Sequence, residues 1–266
     1  MSGILRSILQ KLTIRPKEET RDLICQHYDE NASVVIHFLY YANLRFLSDH
    51  TYVSALNSAD VLLPDGIALR LLWSRIHTGS FTDFVHRRAS LLSRISNLNG
   101  TDFVPYFLRT LIHSKKSVRI FLYGGKQETV QKAAQKLQAE FTEYTFHAEQ
   151  GYTPLDPRTL DAFFHSGTLS WTDNHETYNI LLVGLGTPKQ ECWIAEHRSY
   201  FEKHHLIVFS VGGLFDFLSG TENRAPFLIR KFNLEWFYRI IANPRKNVMK
   251  SVRSFKIFWD LLFPPR

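Results

Sequence analysis

The segment at residues 179–194, NILLVGLGTPKQECWI, constrains the fold of this chain more than any other. Its apolar run at 180–183 is uninterrupted, which is typical of a strand buried on both faces of a parallel sheet. Gly184 and Gly186 then permit a tight turn, and Pro188 suits the first turn of a helix, where its missing N–H is no loss. This order predicts free backbone N–H groups at the carboxyl edge of a sheet, where an anion can bind. The same pattern also fits a βα turn that binds nothing.

Strands and helices alternate along much of the chain. Further apolar runs typical of buried strands occur at 33–39, 59–63, 119–123, 145–147 and 206–211. Gly124 and Gly125 join one of these runs to a helix predicted at 127–140. Because such alternation favours a parallel sheet with helices on both faces, the predicted fold class is α/β, Rossmann-like and mostly parallel. The predicted divisions are a helical segment at 1–32, an α/β core at 33–223 and a basic helical appendage at 224–266.

Composition indicates a soluble globular protein of a reducing compartment. The 266 residues are 44% hydrophobic and 21% charged, which allows a sizeable core. Cys25 and Cys192 form no CxxC pair, so neither a disulfide framework nor a zinc site is predicted. The apolar stretch at 206–218 is too short and too interrupted to span a bilayer, and the N-terminus lacks the apolar region of a signal peptide. A cytoplasmic location is expected.

The net charge of +7 is concentrated in the appendage. Residues 224–266 contain ten Lys or Arg and two acidic residues, a balance of +8, so the other 223 residues sum to −1. Leu234, Phe237, Tyr238 and Ile241 follow helical spacing, and a second amphipathic helix is predicted after Pro244. Basic amphipathic helices rich in aromatic residues are typical of surfaces that lie on anionic membranes. Ordinary packing of the apolar stripe against the core fits equally well.

Two other functional classes fit the sequence less well. A dinucleotide-binding fingerprint requires a third glycine three residues after the second, and Lys189 occupies that position, which disfavours a nicotinamide-dependent oxidoreductase. A nucleic-acid-binding protein could use the basic appendage, but the appendage contains no recognisable recognition motif and the rest of the chain is slightly acidic. No nucleic-acid partner is therefore expected.

Two aspartates follow signals for chain turns. Asp65 ends a short apolar strand in a Pro-Asp-Gly turn, and it is either a turn-forming residue or a catalytic group at a strand's end. Asp102 follows Asn99-Gly100 and is predicted as the N-cap of the next helix. The chain contains no Asp-x-Asp pair, the common carboxylate clamp for a metal-bound diphosphate. Backbone N–H groups and arginines would then have to bind phosphates.

An ordered set of motifs resembles one known family. The motifs are DVLLPDG at 60–66, YGG at 123–125, GY at 151–152, VGLGTPKQE at 183–191, GGLFD at 212–216, RAP at 224–226, LEWFYR at 234–239 and NPR at 243–245. Together they resemble the WecG/TagA/CpsF glycosyltransferases over about residues 33–250. The resemblance implies metal-independent, inverting transfer of an N-acetylhexosamine-type sugar, such as N-acetylmannosamine or its uronic acid, from a UDP donor. No cofactor is implied. The acceptor would be an undecaprenyl-diphosphate-linked sugar, which places the enzyme peripherally on the inner face of the cytoplasmic membrane. Homo-oligomers are common for this architecture.

The resemblance also assigns roles to individual residues. Asp65 matches the family's proposed general base. The implied contacts to the diphosphate or the acceptor are Arg224, Arg239, Arg245 and Asp102. The implied nucleotide-sugar pocket comprises Tyr123, Gly124, Gly125, Gly151, Tyr152, Gly184, Gly186, Thr187, Pro188, Lys189, Gln190, Glu191, Gly213, Phe215 and Asp216. Gln190 and Glu191 are predicted to contact the donor, although a polar first turn of a helix also suits simple capping.

The chain departs from the family pattern at two places. The family's Thr/Asn-containing segment after the first strand reads HFLYY here, at residues 37–41, and Asn97 replaces an arginine before the Gly-x-Asp motif. Because these regions shape the sugar site in the family, the identity of donor and acceptor does not follow from the resemblance.

Overall fold

The computed structural model describes residues 3–30, 33–78, 98–164 and 177–226, with isolated positions at 82–83, 86, 229 and 238. Their centre is a six-stranded sheet in the order β2-β1-β6-β5-β3-β4, and every neighbouring pair is parallel. The strands are β1 (Val34–Tyr40), β2 (Val61–Asp65), β3 (Ser117–Gly124), β4 (Thr145–Glu149), β5 (Thr177–Gly184) and β6 (Leu206–Ser210). The predicted α/β class with a parallel sheet is confirmed.

Helices pack against both faces of this sheet. Those in the described residues are α1 (Gly3–Gln10), α2 (Lys17–Glu30), α3 (His50–Ser58), α4 (Ile67–Ile76), α5 (Gly100–Leu111), α6 (Gln127–Glu140), α7 (Pro157–Phe164), α8 (Lys189–Glu196), α9 (Arg198–His204) and α10 (Leu214–Leu218). A 3-10 helix, Tyr41–Phe46, follows β1. The helix predicted at 127–140 is found with those bounds as α6. The predicted appendage lies almost entirely outside the described residues.

The strand order places a crevice at the middle of the sheet. The chain builds β1 and β2, crosses to β3 and β4 at the other side, and returns through β5 and β6, which brings β6 beside β1. The direction of winding therefore reverses between β3 and β5. The loop after β3 leads toward β4 on one side, and the loop after β5 leads toward β6 on the other. Ligands of such sheets bind outside the carboxyl ends of the strands at this reversal.

The alternation of side chains along each strand divides the core between the two faces. One face packs under α2, α5, α6 and α10, with Ile36, Leu122 and Phe209 among its fully buried strand residues. The other face packs under α1, α3 and α4 at β1 and β2, and under α7, α8 and α9 at the remaining strands. The two N-terminal helices thus cover opposite faces. Helix α1 packs at β1 and β2, and α2 belongs to the cluster that extends over the central strands.

An ion pair fastens the amino edge of the sheet, opposite the crevice. The carboxylate of Asp60 accepts a hydrogen bond from the backbone N–H of Val35 at 2.7 Å. It also accepts hydrogen bonds from Nη1 and Nη2 of Arg198 at 2.7 and 3.0 Å. Two parallel N–H···O bonds of this kind are the strongest arrangement between a guanidinium and a carboxylate. The contact joins the start of β1, the residue before β2 and the start of α9.

The prediction that Asp102 is a helix N-cap is wrong by three residues. Asn99 is the cap: its side-chain oxygen accepts a hydrogen bond from the backbone N–H of Asp102 at 2.9 Å. Asp102 instead lies in the first turn of α5, where a carboxylate is favourable because it faces the positive end of the helix dipole. Both residue types suit an N-cap, so the sequence alone did not distinguish them.

A histidine is buried in the centre of the sheet. His37 on β1 is fully buried, and neither ring nitrogen has a hydrogen-bond partner within the described part of the chain. Its register partner on β6 is Ser210, which is also buried. Burial lowers the pKa of His37 from 6.5 to about 3, and the nearby charge of Lys11 contributes in the same direction. The imidazole is therefore neutral in the folded protein throughout the physiological range.

We expect His37 to make the protein less stable in mild acid. The unfolded chain binds a proton at this imidazole below about pH 6.5 and the folded chain does not, so stability is lost as the pH falls below that value. Between pH 7 and pH 5 the loss from this group is about 2 kcal/mol. Urea unfolding at both pH values should show a smaller pH dependence in His37→Leu than in the wild type. The exposed His113→Gln variant is the control, and equal pH dependence in all three proteins would contradict the assignment.

Candidate active site

The carboxyl ends of β3 and β5 approach each other so closely that only glycine fits. Gly124 and Gly184 are register partners, and a Cβ added to Gly124 would lie 2.4 Å from the carbonyl carbon of Gly184. Gly124 also has a φ of +142°, which side-chain-bearing residues rarely adopt. A Cβ on Gly151 would lie 2.8 Å from the Cα of Gly124, so the loop after β4 presses on the same point. The floor of the crevice is therefore built from backbone.

Gln190 joins two of the glycine turns from within. Its Oε1 accepts hydrogen bonds from the backbone N–H groups of Gly186 at 3.2 Å and Gly212 at 3.0 Å, and its side chain is almost fully buried. These turns follow β5 and β6. The prediction of free backbone N–H groups at this strand–turn–helix segment is therefore wrong at Gly186, because Gln190 from the first turn of α8 already accepts from that N–H.

Glu191 is a buried carboxyl beneath the same loop. Its Oε1 accepts hydrogen bonds from Oγ1 of Thr187 at 2.9 Å and from Nε2 of Gln190 at 3.0 Å. Its Oε2 is buried with no hydrogen-bond partner among the residues that the structure describes. Burial raises the pKa of Glu191, an effect that these two hydrogen bonds oppose. The loop thus rests on a carboxyl group whose protonated form is favoured by its surroundings.

Asn43 is a site residue that sequence reasoning missed. It lies in the 3-10 helix after β1, and its Nδ2 donates to Oγ1 of Thr187 at 3.2 Å. This contact connects the end of β1 to the loop after β5 across β6. Asn43 lies two residues beyond the HFLYY segment at 37–41 and outside every motif that carries the family resemblance. A search for a polar residue within one helical turn of the end of β1 would have found it.

Asp65 lies at the same edge but some distance from the glycine turns. It is the last residue of β2 and the register partner of Tyr40 at the end of β1. Three strand spacings separate β2 from β5, which corresponds to roughly 14 Å across the sheet. The structure therefore places the predicted base and the predicted nucleotide turns on one surface, at separate positions along it.

Asp102 and Arg224 meet beside the end of β2. The backbone N–H of Leu98 donates to the carbonyl of Pro64 at 3.3 Å, which holds the start of α5 near Asp65. Nη1 of Arg224 donates to Oδ1 of Asp102 at 2.7 Å. Nε and Nη2 of Arg224 are buried and find no acceptor within the described ranges. A guanidinium with two unused donors can bind an anion such as a phosphate.

The other predicted site residues differ in exposure. Tyr123 and Phe215 are buried: the hydroxyl of Tyr123 donates to the carbonyl of Thr153 at 3.1 Å, and Phe215 packs on Gly184. Tyr152 is 73% exposed, and Lys189 is exposed at the start of α8.

The remaining predicted residues lie at turns or at the starts of helices. The turn after β3 includes Gly125, Pro188 directly precedes α8, and Gly213 and Asp216 lie at the start of α10. Arg239, Arg245 and Asn97 lie outside the described residues, and the individual binding roles stay predictions.

Within the ranges that the structure describes, no group of three or more His, Cys, Asp or Glu side chains is arranged to hold a metal ion. Over the same ranges, no helix combines the length and the apolar character that crossing a bilayer requires.

Comparison with known proteins identifies the family of this chain. The N-acetylglucosaminyldiphosphoundecaprenol N-acetyl-beta-D-mannosaminyltransferase of Bacillus subtilis (strain 168) is 32% identical over 213 residues, which cover 79% of this chain and 72% of the relative. The protein of the same name from Staphylococcus aureus (strain NCTC 8325 / PS 47) is 31% identical over 138 residues, about half of each chain. Residues 8–264 match the glycosyl transferase WecG/TagA/CpsF family. Because the match spans nearly the whole chain, this protein belongs to the WecG/TagA/CpsF family and is a glycosyltransferase.

Proposed function

We propose that this chain transfers an N-acetylhexosamine-type sugar from a UDP donor to an undecaprenyl-diphosphate-linked sugar in the synthesis of a cell-surface polymer. The observation that carries the proposal is the match to the Bacillus subtilis enzyme, whose name specifies an N-acetylmannosaminyl group and a diphosphoundecaprenol-linked acceptor. The arrangement of Asp65, Arg224 and the glycine turns along one sheet edge supports it. Family membership favours this function over an oxidoreductase or a nucleic-acid-binding protein.

The proposed reaction is a single inverting displacement. The carboxylate of Asp65 takes the proton from the acceptor hydroxyl as its oxygen attacks the anomeric carbon of the donor. The bond between that carbon and the β-phosphate oxygen breaks, and UDP leaves. The negative charge that develops on the diphosphate needs cationic or N–H partners. Arg224 supplies two unused donors, and Arg239 and Arg245 are proposed to complete the set. In this scheme no metal is needed.

Screening of UDP-sugars tests the proposal most directly. The purified chain is incubated with individual donors, beginning with UDP-N-acetylmannosamine, and a short-chain lipid-diphosphate N-acetylglucosamine acceptor, with and without EDTA. A product heavier by one N-acetylhexosamine residue, formed equally in EDTA, is the expected result. Thermal-shift measurements with UDP, NAD and an oligonucleotide should show stabilisation by UDP alone. Stabilisation by NAD or the oligonucleotide instead would refute the proposed function.

Replacement of Asp65 should abolish most of the chemistry and leave the fold intact. Asp65→Asn retains the turn-forming side chain but removes the proton acceptor, so we expect kcat to fall roughly 100- to 10,000-fold. The measurement is steady-state turnover together with the melting temperature. Asp22→Asn, on the exposed surface of α2, is the matched control and should retain wild-type turnover. Near-wild-type turnover in Asp65→Asn would show that Asp65 is not the general base.

Replacement of Gln190 should weaken donor binding through the glycine turns. Gln190→Ala leaves the partly buried N–H groups of Gly186 and Gly212 without their acceptor, which costs up to about 1–3 kcal/mol of stability for each group left unsatisfied. Because both turns border the proposed donor pocket, the donor KM of the folded fraction should rise as well. Glu196→Ala, at the far end of α8, provides the control. A lower melting temperature with unchanged KM and kcat would restrict Gln190 to a structural role.

The appendage is proposed to hold the enzyme on the membrane. Each cation close to an anionic bilayer contributes about 1 kcal/mol, so Lys246, Lys250 and Arg253 together would give reversible, salt-sensitive binding. Deletion of residues 246–266 should abolish sedimentation with anionic vesicles and leave UDP binding largely intact. Replacing those three cations by glutamine should weaken sedimentation, and neutral vesicles should bind neither form. Equal sedimentation of the full and truncated chains would show that this segment is not the anchor.

A further inference from the structure

The unit formed by β3, α6 and β4 repeats an arrangement known from nucleotide-binding sheets. Gly124 and Gly125 end β3, α6 crosses over, and β4 returns parallel to β3 as its immediate neighbour. Glu149 is the last residue of β4 and lies 24 positions after Gly125. In doubly wound folds the glycine turn after one strand faces the phosphates, and an acidic residue about 20 positions later, at the end of the next strand, binds a ribose hydroxyl.

Contacts across the strand ends hold Glu149 beside the glycine turn. Its register partner on β3 is Tyr123, the residue before Gly124. The hydroxyl of Tyr123 donates to the carbonyl of Thr153, and the N–H of Gly151 donates to the carbonyl of Gly125 at 3.0 Å. The segment immediately after Glu149 is therefore tied to β3 at two points. This fixes the backbone from which the carboxylate extends.

The side chain of Glu149 is accessible to solvent and is held on one side by His147. It is 36% exposed, and its Oε1 lies 2.9 Å from Nε2 of His147. The ring of His147 packs against Phe121 and Phe163, with centroids 4.9 and 5.6 Å away, which limits its freedom. A carboxylate accepts up to about four hydrogen bonds, so the contact to His147 leaves capacity for two further donors. The two hydroxyls of a ribose are donors of the matching kind.

We propose that Glu149 binds the ribose hydroxyls of the UDP donor and thereby selects ribonucleotide over deoxyribonucleotide sugars. The proposal rests on the proposed function. It orients the donor along the carboxyl edge, with the nucleoside at β4, the diphosphate beside the neighbouring glycine turns and the sugar on the side toward β2. The exposed ring of Tyr152 stands three residues after Glu149, at the nucleoside end of this order. No residue of β4 itself had been assigned a role from the sequence.

Calorimetric titration with UDP and with 2′-deoxy-UDP tests the proposal without turnover. The wild type should bind UDP about 10- to 100-fold more tightly, as expected for a hydrogen bond to a charged group. Glu149→Ala should bind the two ligands with nearly equal affinity, and Glu149→Gln, which keeps one acceptor oxygen, should give an intermediate ratio. Glu143→Gln, an exposed position shortly before β4, is the matched control and should keep the wild-type ratio.

The possible outcomes separate this proposal from the function on which it rests. Loss of the UDP preference in Glu149→Ala, with an unchanged melting temperature, supports the assignment. A wild type that binds both ligands equally, or a Glu149→Ala variant that keeps the preference, overturns it and leaves the UDP-sugar transferase intact. Loss of the preference in Asp216→Asn alone overturns it in favour of that carboxylate. Failure of the wild type to bind UDP at all would refute both.

Discussion

The close approach of β3 and β5 at Gly124 and Gly184 is the constraint on which the site depends. Any Cβ at Gly124 would collide with the carbonyl of its partner, so the two strands can end side by side only without side chains. Gly151 extends the same requirement to the loop after β4. Backbone thereby lines much of the crevice at the centre of the sheet. The parallel strand order positions the crevice at the carboxyl edge of the sheet, and the glycines leave it free of Cβ atoms.

Buried polar side chains hold this backbone surface in one conformation, although burying them has an unfavourable free energy of desolvation. Burial of an amide or a carboxyl is unfavourable unless its hydrogen bonds are replaced, and Gln190 replaces them by bridging two glycine turns. Glu191 is less fully satisfied, and burial raises its pKa, so its contribution to stability is lost as the pH rises through that raised value. His37 acts in the opposite sense, since its lowered pKa removes stability in acid. Together the two groups limit the range of pH over which the core is most stable.

The proposed site is extended along the sheet edge. Asp65 on β2 lies two, three and four strand spacings from the glycine turns after β6, β5 and β3, and the contact of Asn43 with Thr187 connects the regions between them. A nucleotide sugar has its base, ribose, diphosphate and sugar in series, so the two ends of a donor bound along this edge would lie at different strands. Specificity for the nucleoside and for the sugar would then reside at opposite ends. Variants at one end should affect recognition of one part of the donor more than the other.

The sequence by itself determined the fold class, the strand positions, the bounds of α6 and the family, because apolar runs, glycine turns and ordered motifs are local features of the chain. It did not determine which polar atoms meet. The contact of Asn43 with Thr187 joins residues 144 positions apart, and that of Gln190 with Gly212 depends on β6 lying beside β5. The choice between Asn99 and Asp102 as the cap of α5 likewise depended on the backbone conformation at the start of that helix. Such contacts follow from strand order and register, and these arise only when the whole sheet has been assembled.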